Sequence, residues 1–166
     1  MPRPGGAAQS GLMKKLPTPL LVLACCLLIF AGCTGFERGL TAVGLSVELT
    51  GIERAADGTV SVAWKLVNPN ISPYLIARTN HKIFLDGKLV GTALNEEPTA
   101  VPAQQSVAKV TRLTLADAAA AGLVAETAAR GTAAYRVETQ LLIRLYGETT
   151  DKGALTHSGS VPVTNK

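Results

Sequence analysis

Apolar and polar positions alternate without a break from Thr59 to Leu66. Val60, Val62, Trp64 and Leu66 share one side, and Thr59, Ser61, Ala63 and Lys65 the other. A period of two places one face of a strand against a core and the other toward water. The alternation stops at Asn68-Pro69-Asn70, because proline lacks the amide that a strand ladder needs. Ser72-Pro73 prolongs the irregular stretch. A second extended run covers Tyr74 to Leu85. Asp86-Gly87 follows, a pair that tolerates positive φ and predicts a hairpin turn. Lys88-Leu89-Val90-Gly91 then begins the returning strand.

The flanks carry the same pattern. Leu45 to Leu49 alternates and predicts a first strand continuing through Ile52, with an irregularity at Gly51 where the apolar parity shifts. Asp57-Gly58 predicts a tight turn. Asn95 to Gln104 is polar, holds Pro98 and Pro102, and predicts a loop. Ser106 to Leu115 predicts a strand whose parity Val110 interrupts. Thr114-Leu115-Ala116-Asp117 has the form of a helix-starting capping box, the alanine-rich run to Arg130 favours helix, and Gly131 supplies a stop. Gly122 weakens the middle of that helix. Tyr135 to Leu145 alternates again, Gly147 to Gly153 predicts a turn, and Leu155 to Val163 predicts a closing strand, with Pro162 suggesting a sheet edge. About seven strands and one short helix in a crossover predict an all-β domain, an immunoglobulin- or fibronectin-III-like β-sandwich over 44–166.

Trp64-Lys65-Leu66-Val67-Asn68-Pro69-Asn70, followed by Phe84-Leu85-Asp86-Gly87-Lys88-Leu89-Val90-Gly91, resembles the core of the type-2 late-embryogenesis-abundant (LEA) domain. That domain is also called the WHy (water stress and hypersensitive response) domain. Val101-Pro102-Ala103 is similar to a further segment of it. The resemblance covers roughly Leu45 to Val163. It implies the same sandwich with a helix in one crossover, and a non-enzymatic protective role in desiccation. Its signature residues here are Trp64, Asn68, Pro69, Asn70, Asp86, Gly87 and Gly91. A hydrophobic content of 47% argues against disorder, unlike the hydrophilic LEA proteins.

The N-terminal part has a separate character. Lys14-Lys15 precede an uncharged stretch from Leu16 to Phe36. Its apolar centre, Leu20 to Ile29, falls short of the roughly 20 residues a spanning helix needs and fits an export signal. Phe30-Ala31-Gly32-Cys33 resembles a bacterial lipobox, with cleavage before a lipidated Cys33. Cleavage at Leu23-Ala24-Cys25, an uncleaved anchor and an ordinary secretory signal are the alternatives. The lipobox makes 1–32 a signal peptide and 33–43 a lipidated cysteine with its linker. No cysteine then remains for a disulfide, zinc site or thiol nucleophile. Asp directly after the lipidated cysteine resembles an inner-membrane retention signal. Thr34 occupies that place here and directs the expectation to the outer membrane of the bacterial envelope, facing the periplasm. Of 16 basic residues, Arg3, Lys14 and Lys15 lie in the leader, while all 12 acidic residues follow it. The mature domain is thus nearly neutral, and its cations form no cluster interleaved with aromatics for nucleic acid.

Catalytic and metal patterns do not emerge. His81 and His157 stand in different elements without ligand spacing, and a lone strand histidine reads as a surface or hydrogen-bonded residue. Nucleophile-elbow and phosphate-loop motifs are absent. Glu96-Glu97 reads as a solvated loop, Asn68-Pro69-Asn70 as a hydrogen-bonded corner, and Trp64 as core. Asn70-Ile71-Ser72 matches a glycosylation sequon, which a bacterial lipoprotein leaves without use. The expectation is a monomeric, non-enzymatic envelope lipoprotein without cofactors or metals, bound to lipid through Cys33. The alternative is a docking module for an envelope protein or glycan, using the strand at Pro162 or the 95–104 loop.

Overall fold

The computed structural model describes residues 42, 44–145 and 149–166. The chain divides into two units, Met1–Phe36 and Glu37–Lys166, and every described residue belongs to the second. The leader, Cys33 and the linker as far as residue 41 lie outside the described residues.

The described residues form eight strands and one helix: β1 (Ser46–Arg54), β2 (Val60–Asn68), β3 (Tyr74–Leu85), β4 (Lys88–Asn95), β5 (Thr99–Val101), β6 (Gln105–Leu115), α1 (Ala118–Arg130), β7 (Thr132–Arg144) and β8 (Thr150–Asn165). β2 buries every second residue as its alternation requires. The shift at Gly51 is a register change against β2, between Leu49 and Gly51. Asp86 and Gly87 both have positive φ, 47° and 80°, the geometry a two-residue hairpin needs.

The expected β-sandwich is corrected to a closed barrel. The strand order β4-β6-β2-β1-β8-β7-β3 is completed by pairing of β4 with β3, giving a seven-stranded ring with β5 lying beside the start of β3. β3 is the reason. It pairs with β7 on one edge and with β4 and then β5 on the other, while β4 turns on to β6 at Gly91–Ala93. Two sheets facing each other would need a break where these ladders are continuous.

Two local expectations also change. β5 forms within 95–104, the stretch expected to be loop, because its backbone completes the edge of β3 at Tyr74–Ile76. β8 is an internal strand, so Pro162 is not at a sheet edge. Val163 donates its amide to Gly131 O, so the missing donor at Pro162 falls on the opposite side. There the parallel pairing with β1 begins only at Val163.

One barrel end carries the β2–β3 corner, the start of β8 and the entry of the chain at Ala42. The other is capped by α1, which buries Ala120, Val124 and Thr127. The interior is filled by side chains, including Val47, Val62, Trp64, Leu66, Ile83, Leu85, Val137 and Ile143.

Candidate functional site

At the corner, Pro69 ends the β2 ladder and Asn68 replaces the lost backbone bonds. Asn68 is buried. Its Nδ2 donates to Ser72 O at 2.9 Å, Pro102 O at 3.0 Å and Val101 O at 3.4 Å. Its Oδ1 accepts from the Asn70 amide at 3.0 Å. Asn70 Nδ2 in turn donates to Tyr74 Oη at 3.4 Å, and its carbonyl accepts from the Gln104 amide at 2.9 Å. Two segments far apart in sequence, 68–72 and 101–104, are therefore tied together by the Asn68 side chain and one backbone bond. Polar groups removed from water need such partners. Val67, Asn68, Pro69, Gln104, Gln105 and Ser106 line an open depression beside this clamp.

Trp64 does not reach the depression. It lies in the core with its Nε1 donating to Thr111 Oγ1 at 3.0 Å. Its ring meets the His81 ring at 4.6 Å between centroids. His81 is buried, not a surface residue, and its Nδ1 lies 2.8 Å from Thr139 Oγ1. Burial pushes its pKa down to about 4, so the ring is neutral at ordinary pH. Among the described residues, His81 Nε2 and Thr79 Oγ1 have no hydrogen-bond partner.

Asp86, Gly87 and Gly91 sit at the helix-capped end, away from the corner. Asp86 Oδ2 pairs with Arg130 Nη2 at 2.5 Å, and its Oδ1 accepts from the Ala134 amide at 3.2 Å. The Arg130 guanidinium holds the Asp86 carboxyl below its usual range. These bonds fasten the β3–β4 hairpin to the end of α1 and the start of β7. Gly91 is required by contact: a Cβ there would run into the Thr114 carbonyl of β6.

A further feature escaped the sequence reading. Among the described residues β1 pairs with β8 only over Ile52–Arg54 and Val163–Asn165, which leaves a parting in the wall beside Leu49. Tyr135 fills it from β7. Leu49 donates its amide to Tyr135 Oη at 3.2 Å, and Tyr135 Oη lies 2.8 Å from His157 Nδ1, onto which its own proton can be donated. Burial raises the Tyr135 hydroxyl above its ordinary pKa. Gly159 makes room, since a Cβ there would meet the Tyr135 ring at 3.1 Å. An alternating strand with a tyrosine at an inward position gave the only signal.

The signature residues are thus split between the two ends and the core. None of the described residues forms a group of three metal-ligating side chains. These contacts fasten the corner, the hairpin and the β1–β8 junction.

No family model matches this chain, and no curated protein does. Solved structures do resemble it. A protein from Archaeoglobus fulgidus is similar at TM-score 0.44 and 13% identity, over 71% of this chain and 94% of that one. An Arabidopsis thaliana protein is similar at TM-score 0.48 and 14% identity, over 73% and 79% of the two chains. A candidate LEA protein is similar at TM-score 0.48 and 9% identity, over 96% and 97%. At these identities and scores the likenesses say nothing of activity or partners.

Proposed function

We propose that this protein is a non-enzymatic lipoprotein of the bacterial envelope, anchored through acylated Cys33, whose barrel protects neighbouring surfaces when water is lost. The reading starts from the residues that resemble the type-2 LEA domain. The observation that carries it is where those residues point. Asn68 clamps the corner to Pro102 O, Trp64 is sealed in the core, and Asp86 fastens the hairpin to Arg130. Residues used in this way serve the shape and stability of the body, and leave its position to decide its effect.

A physical route to protection follows. Drying crowds membranes and proteins together, and open sheet edges then recruit one another. A closed ring offers few such edges. Several acyl chains on Cys33 would hold the ring at a bilayer stably, where a single chain binds marginally. Thr34 after Cys33 favours the outer membrane.

The test compares survival of drying and freezing in wild type, a deletion strain and a strain carrying Cys33→Ala. The expected result is reduced survival in both altered strains. Equal survival of deletion and wild type removes the protective role. Mass spectrometry of the mature N-terminus tests the anchor directly.

A further inference from the structure

Two of the five exposed large apolar side chains among the described residues, Ile71 and Leu145, lie at the end where the chain enters the barrel. Ile71 is 85% exposed at the tip of the β2–β3 corner, between Pro69 and Pro73, whose fixed φ angles stiffen the loop. Leu145, 37% exposed, lies nearby at the end of β7, because Leu75 at the start of β3 is paired with Arg144. Leu89, Leu94 and Val110 stand singly on the β4–β6 wall instead.

Cations surround this end on one wall. Arg78, Leu142 and Lys152 lie side by side across β3, β7 and β8, and Arg144 stands two residues nearer the rim. Arg78, Arg144 and Lys152 are exposed and take part in none of the ion pairs among the described residues. Asp151 beside Lys152 is itself engaged, and Glu96 and Glu97, in the link between β4 and β5, run alongside Arg78, with Glu97 paired to Lys109.

The same end receives the tether. Ala42 packs against Gly153 of β8, and its carbonyl accepts from the Leu45 amide at 3.2 Å. Nine residues lead from Cys33 to Ala42, a reach of at most about 30 Å.

We infer that the barrel is seated on the bilayer with this end down, Ile71 and Leu145 within the headgroup layer and Arg78, Arg144 and Lys152 against anionic headgroups. Apolar side chains inserted at the interface and cations near an anionic surface act together in such a seat. The inference rests on Cys33 being the lipid anchor.

The lipid-modified chain is reconstituted in phosphatidylcholine vesicles with and without phosphatidylglycerol. Processing removes Cys25 and Cys26 and occupies the Cys33 sulfur, so Ile71→Cys supplies one thiol for an environment-sensitive fluorophore. Lys88→Cys, at the opposite end, is the control. The label at position 71 is expected to shift to the blue. Nitroxides on the lipid should quench it about twofold or more beyond the label at 88, as interfacial burial requires. Combining Ile71→Cys with Arg78→Glu, Arg144→Glu and Lys152→Glu should abolish the part of the effect that depends on phosphatidylglycerol. Labels equally wet at 71 and 88 would show a barrel standing off the membrane and overturn the seat. A label at 71 that is wet on vesicles but buried in native envelope membranes would assign this end to a protein and also overturn it. A mature Cys33 without acyl mass removes the anchor, and the seat with it; an acylated Cys33 with a wet label removes the seat alone.

Discussion

His81 faces Trp64 inside the barrel, and among the described residues its Nε2 has no hydrogen-bond partner. Its pKa is about 4 in the folded chain against 6.5 for the free group. The folded value is the lower one, so the unfolded chain takes up the proton first. The contribution is therefore fully present above about pH 6.5 and is lost as pH falls toward 4, on the order of 3 kcal/mol in all. Urea unfolding between pH 7 and 4 should show this slope, and His81→Leu should flatten it. Asn68→Ala leaves several carbonyls of the corner without their donor. It should cost on the order of 3 kcal/mol, at 1–3 per buried unpaired group, read as a lower urea midpoint with unchanged m. Gly91→Ala drives a methyl at the Thr114 carbonyl and should cost about 1–3 kcal/mol through forced backbone shifts. Alternation in β2 made the inward side of Trp64 readable. The local partners of Asn68, the Asn70 amide and Ser72 O, fit the expected hydrogen-bonded corner, whereas those from 101–102 were not readable, because hydrogen bonds between distant segments leave no periodic trace.

Element boundaries depended on which partner each strand found. β3 runs over Tyr74–Leu85, as its composition and the Asp86-Gly87 turn indicated, because both ends are set locally. The helix start was misplaced. Thr114 remains in β6, and Asp117 is the N-cap, its carboxylate accepting from the Ala120 amide at 2.8 Å. The β4–β6 ladder at Thr114 held that residue in the strand. Asp117→Ala should lower stability by about 1 kcal/mol, seen as a reduced melting temperature with the strand signal intact. Gly122 does not break α1, since the helix is docked on β8 and β4 and tertiary packing outweighs propensity. β5 is three residues long and gained its conformation from β3, so no alternation announced it.

Closure of the ring was hidden for a different reason. Alternation reports that one face of a strand is buried, and this holds for a sandwich and a barrel alike. The choice was made by pairing, β3 with β4 and β1 with β8. The β1–β8 junction is the narrowest of these, and Tyr135 reinforces it through Leu49 and His157. Tyr135→Phe removes the oxygen while keeping the ring. Amide exchange at Leu49 should rise about tenfold while global stability falls by only about 1 kcal/mol, the net value of one hydrogen bond. Equal exchange in both chains would mean the parting is held by packing alone.

The junction between β1 and β8 joins the first strand of the barrel to the last. The cylinder therefore has no finished form until its final residues, Val163 to Asn165, are available for pairing. Before those residues pair with Ile52–Arg54, the strands make an open, unsealed sheet. Removal of Val163 to Asn165 would therefore leave a permanently open edge along β1.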